Sequence, residues 1–112
     1  QHFIVTADGA GGVAFTRRTP KEDGATQLFS AVTFNGTTAI RCTYSTALAN
    51  LSDAVYHLDA ILPGDGIAQV VTRTTTYVEL GIYDVSASAL RDLTVTPQVF
   101  HLSVAPLLAG MT

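Results

Sequence analysis

The sequence predicts a mainly β chain with one helix, an α+β arrangement in which antiparallel strands build a sandwich-like body and a helix over residues 46–61 packs on a sheet. Short runs rich in Val, Ile, Thr, Phe and Tyr recur between Gly, Pro and Asn-Gly punctuation, as strands bounded by turns do. One stretch changes period: Leu48, Leu51, Val55, Leu58 and Leu62 are separated by three, four, three and four residues, the spacing of a single helical face. No repeat of about 20–50 residues is visible, which excludes solenoids and propellers. The 112 residues suit a single domain, 1–112, because one core typically takes about 100–200 residues.

The elements follow in order. Residues 2–7 have the β-branched and aromatic enrichment of a strand, and the run from Asp8 to Gly12 supplies residues that tolerate positive φ, so residues 13–17 return as a hairpin partner. Residues 19–24 are the most hydrophilic segment and read as an exposed loop. Strands over 28–34 and 37–44 flank Asn35-Gly36, the strongest two-residue hairpin signal. The helix that follows has Ser45 or Thr46 to cap its first N–H groups and Pro63-Gly64 to end it. Its opposite face would carry Asn50, Ser52, Asp53, His57 and Asp59. Residues 67–72 and 74–83 return to β character, with Val78, Leu80 and Ile82 on one side and Tyr77, Glu79 and Tyr83 on the other. A connector over 86–92 leads to strands over 93–96 and 98–104, where Pro97 argues for a sheet edge or bulge and Pro106 closes the last strand.

Composition limits the function classes. Hydrophobic residues make up 47% and charged residues 13%, with a net charge of −3 and a pI of about 5.3, so nothing draws the chain to nucleic acid or anionic lipid. No apolar run approaches the roughly 20 residues that span a bilayer, so no membrane insertion is expected. A small domain leaves much of its area exposed, and so few charges cannot cover it; a homodimer is the expected way to bury the remaining apolar surface. The chain begins at Gln1 and its one Met is Met111, as expected for a secreted protein trimmed after its signal peptide.

The residues that carry chemistry are few. Cys42 cannot form an internal disulfide and is either a buried thiol or a candidate interchain disulfide. Asn35-Gly36-Thr37 and Asn50-Leu51-Ser52 are glycosylation triplets, Asn35 in a turn being the better acceptor. His2, His57 and His101 fall on three separate elements without the short Cys/His spacing of a zinc site, and no cofactor or metal is implied. On a helix His57 and Asp59 would stand about 200° apart and could not act as a pair. There is no Gly-x-Ser-x-Gly nucleophile elbow, and an enzyme is not expected. Tyr77, Glu79 and Tyr83 on one strand face are candidate ligand contacts, since sugars stack on exposed rings and bond to carboxylates, although the same rings could simply cover a sheet or a subunit contact. Arg17, Arg18 and Lys21 form a second candidate cluster, beside Glu22 and Asp23, which would balance them in a solvated loop.

The start Gln1-His2-Phe3-Ile4-Val5, the chain length, the lone Cys42 and the Thr-heavy strands together resemble the small secreted immunomodulatory proteins of mushrooms, of the Tremella type. That resemblance implies a non-enzymatic extracellular protein that engages cell-surface receptors or glycans and activates macrophages or lymphocytes. In the best-known branch an amphipathic N-terminal helix drives homodimerisation ahead of an immunoglobulin-like or fibronectin-like sandwich; here the N-terminus reads as a strand and Gly9 to Gly12 exclude such a helix. A lectin-like, homodimeric recognition protein is therefore the expected function. The alternative is an assembly subunit such as a viral coat or decoration protein, to which low charge and abundant Thr are equally suited.

Overall fold

The computed structural model describes residues 2–17, 28–61 and 65–106. Among them the fold is all-β and sandwich-like: strands β1 (His2–Asp8), β2 (Val13–Arg17), β3 (Phe29–Asn35), β4 (Ala39–Tyr44), β5 (Ala54–Ala60), β6 (Gly66–Arg73), β7 (Tyr77–Asp84), β8 (Ala89–Leu90) and β9 (Pro97–Pro106). They form a four-stranded sheet in the order β2-β1-β9-β5 and a five-stranded sheet in the order β3-β4-β7-β6 with β8 beside β7. Every pairing is antiparallel.

Alternation along the strands builds the core between the sheets. Phe3, Val5 and Ala7 of β1 and Phe100, Leu102 and Val104 of β9 face Ile40, Cys42 and Tyr44 of β4 and Val78, Leu80 and Ile82 of β7, all buried. Aromatic rings tie the layers together: Phe15 to Phe3, Phe3 to Phe29 and Phe29 to Tyr44 lie 5.9, 4.9 and 5.2 Å apart between centroids.

Both hairpins read from the sequence are present. In the first, Gly9 and Gly11 take φ of +79° and +90°, and Asp8 Oδ1 accepts hydrogen bonds from Ala10 N at 2.7 Å and Gly12 N at 2.9 Å. The second closes over three residues rather than two, because Asn35 pairs with Ala39 and stays in the strand. Pro97 marks neither a sheet edge nor a bulge: it opens β9, an inner strand between β1 and β5, where its missing N–H breaks no ladder bond inside the strand, and Pro106 ends it. Residues 93–96 form bends instead of a strand, with Leu93 inserted in the core, and the 86–92 connector carries β8.

The expected helix over 46–61 is absent. In its place stand a 3₁₀ turn, Leu51–Asp53, and the seven-residue strand β5, paired with β9 from Ala54↔Pro106 to Ala60↔Phe100. The stretch satisfies two periods at once, and only one of them survives packing. As a strand, Ala54, Tyr56, Leu58 and Ala60 turn inward while Val55, His57 and Asp59 turn outward. Val, Tyr, His and Asp are mediocre helix formers, and the open edge of β9 offers a full ladder of main-chain hydrogen bonds. Arg73 adds two more, its Nη2 donating to the carbonyls of Leu51 and Ala54 at 3.2 Å each. The strand leaves Val55 56% exposed, an apolar residue the helix would have buried.

Candidate functional site

The change from helix to strand decides where the polar side chains meet. In β5, His57 and Asp59 are two residues apart and therefore share the outer face of the sheet, the opposite of their helical relationship. Register then aligns them with β9 and β1: Ser103 stands between His2 and His57, and His101 between Ile4 and Asp59. The fold thus brings all three histidines of the chain onto one face. The rings of His2 and His101, one diagonal step apart across β1 and β9, lie 5.6 Å apart between centroids at 38°.

This face is a shallow groove rather than a cleft. A depression of about 440 Å³ runs along His2, Val55, His57, Ser103 and Ala105, and one of about 380 Å³ adjoins it beside Asp59 and His101. The outward-facing positions of β1, β9 and β5 hold no Lys or Arg, and their carboxylates are Asp59 and, at the far end of β1, Asp8. Hydrogen bonds from Ala10 and Gly12 hold the Asp8 carboxyl below its usual range and commit it to the hairpin. Among the described residues no group of three His, Cys, Asp or Glu is gathered to hold a metal, and no helix is long and apolar enough to cross a membrane.

The candidates named from the sequence distribute differently. Glu79 is only 4% exposed and belongs to an internal network: its Oε2 accepts from Asn35 Nδ2 at 2.8 Å and from Arg41 Nε at 3.0 Å. Burial pushes its carboxyl up, but the hydrogen bonds from Arg41, Asn35 and Thr72 and the Arg41 charge outweigh that and leave it below the usual value. The Arg41 guanidinium also covers the Tyr77 ring, 3.9 Å from the centroid. Tyr83 lies further along β7 opposite Ile67, beyond Gly81, over which the Val71 side chain folds. Tyr77, Glu79 and Tyr83 therefore share a strand face without forming one open site. Asn35, the expected glycan acceptor, commits its side-chain nitrogen to Glu79.

Cys42 is 1% exposed in the core and its thiol is pushed up to about 12 by burial, which closes it to an interchain disulfide while the sandwich is intact. Arg17 ends β2, and Arg18 and Lys21 lie outside the described residues. The histidine face itself escapes a one-dimensional reading because its members come from three strands joined only by register. The signal that could have found it is the period-two alternation of residues 54–60. No protein-family model matches the chain, and neither a curated protein nor a solved structure matches it.

Proposed function

We propose that the chain is a non-enzymatic recognition protein, secreted and homodimeric, that engages a cell-surface glycan or receptor through the outer face of the four-stranded sheet. The observation that carries this reading is the array His2, Ser103, His57, His101 and Asp59 beside the apolar Val55, Ala105 and Ile4. Imidazoles, a hydroxyl and a carboxylate supply donors and acceptors for sugar hydroxyls, and the apolar neighbours suit the C–H faces of a sugar. On the opposite sheet Glu79 is already engaged by Asn35 and Arg41, and Arg41 covers the Tyr77 ring. Hydrolysis fits poorly here. Around Ser103, in a strand paired on both sides, the ladder consumes the main-chain N–H groups that an oxyanion hole needs.

Glycan-array binding of the wild type and of a His57→Ala/Asp59→Asn variant tests the reading. Binding to a defined glycan class that the variant loses supports it; equal binding by both places the ligand elsewhere, and no binding removes the glycan.

A second reading, an assembly subunit, is favoured by Leu51, Val55, Ile61, Ile67, Val71, Val85 and Val95, large apolar side chains all more than a third exposed. Sedimentation velocity over a concentration series separates the two: a closed dimer supports recognition, and larger species support assembly.

A further inference from the structure

We infer that His2 and His101 form a two-imidazole site for a divalent transition-metal ion of the copper, nickel or zinc type, linking β1 to β9. The inference stands on ring geometry and is independent of the recognition reading. A metal about 2.0–2.1 Å from an imidazole nitrogen sits about 3.2 Å from the ring centroid, so two rings on one ion have centroids about 5.2 Å apart at the tetrahedral angle of zinc and about 4.5 Å apart at the right angle of square-planar copper. The observed separation is 5.6 Å with the rings tilted by 38°, so side-chain rotations that bring the rings about 0.4–1.1 Å closer place both on one ion. Both side chains rise from the same face of neighbouring strands whose register runs unbroken from His2↔Ser103 to Asp8↔Pro97, so the ladder and not a flexible loop sets their spacing.

The surroundings favour a cation. Asp59 stands directly opposite His101, and no Lys or Arg projects from the outward positions of β1, β9 or β5. Neutral nitrogen ligands suit copper, nickel and zinc rather than calcium or magnesium. The chain's one thiol is buried and does not compete. Among the described residues no third His, Cys, Asp or Glu is gathered to the pair, so water completes the coordination there and the bound ion keeps exchangeable positions.

The test is titration of the full chain, prepared without a histidine tag, with copper(II), nickel(II) and zinc(II), read by calorimetry and, for copper, by the nitrogen hyperfine pattern in electron paramagnetic resonance. The expected result is one ion per chain, two imidazole nitrogens on copper, and affinity for copper above that for nickel and zinc. His2→Ala and His101→Ala should each weaken binding by at least the roughly tenfold to hundredfold that loss of an outer-shell partner costs, whereas His57→Ala should leave both imidazole nitrogens on the ion. His101→Asn, which keeps a polar surface residue, guards against a folding defect and should lose binding equally, with circular dichroism unchanged. No binding by the wild type, or affinity unchanged in His101→Ala, overturns the inference.

Discussion

Arg41 and Glu79 stand directly opposite one another on β4 and β7, Nε to Oε2 at 3.0 Å, with the Glu79 side chain 5% exposed and the Arg41 side chain 34%. The pair is therefore asymmetric: the acid has left water and the base has not. Removing Arg41 strands a buried carboxylate with only Asn35 and Thr72 as donors, so Arg41→Ala should cost about 2–3 kcal/mol at neutral pH, below the usual cost for a fully buried pair. Urea unfolding measures it.

The same contact sets an acid dependence. The Glu79 carboxyl is held below the ordinary glutamate value, so its contribution to stability is complete above that ordinary value and is lost as pH falls through the folded-state value. Arg41→Ala removes the main lowering partner. The stability gap between wild type and Arg41→Ala should therefore narrow on acidification below about pH 4.5. A gap constant from pH 7 to pH 3 in urea midpoints would count against this account.

Cys42 should resist thiol reagents in the native protein at pH 8 and react fully once denaturant is added, since a buried thiol with its ionisation pushed up to about 12 holds almost no thiolate. Native labelling with Ellman's reagent should follow the opening rate of the sandwich. A covalent dimer on a non-reducing gel of native protein would contradict the placement.

Tyr44 Oη and both polar atoms of the Gln98 amide are buried without a hydrogen-bonding partner among the described residues. Tyr44→Phe deletes a desolvated hydroxyl while keeping the ring stacked on Phe29, and should leave stability unchanged or raise it by about 1–2 kcal/mol. Gln98→Met, close in volume, should move the same way. A clear fall in the thermal midpoint of Tyr44→Phe would mean that the hydroxyl is engaged.

Gly9 and Gly11 separate backbone strain from crowding. Both have positive φ, but a Cβ on Gly9 would meet Pro97 Cδ at 2.7 Å, whereas one on Gly11 meets nothing within 4 Å. Gly11→Ala should cost about 1–2 kcal/mol from the left-handed conformation alone. Gly9→Ala should cost about 2–4 kcal/mol, because overpacking against Pro97 adds to the strain. Equal losses in the two variants would show that Pro97 moves aside.

The strands of the two hairpins, the inward set Val78, Leu80 and Ile82, and the end of β9 at Pro106 were legible in the chain, because each depends on residues close in sequence and on the alternation of the pleat. His101 was likewise readable as facing away from the core, between Phe100 and Leu102. What tertiary structure decided was the state of residues 54–60 and everything that follows from it. Leu58 fits a helical stripe and a strand alternation equally, and only the unpaired edge of β9, some forty residues away in sequence, selects the strand. That choice turns His57 and Asp59 to one side and lines them up with His101, Ser103 and His2. Glu79 moved in the opposite direction, from expected contact to internal partner, because its cover comes from Arg41 and Asn35 on other strands. A single strand's pattern tells which side of the sheet a residue takes, whereas the register between strands distant in sequence tells what it meets there.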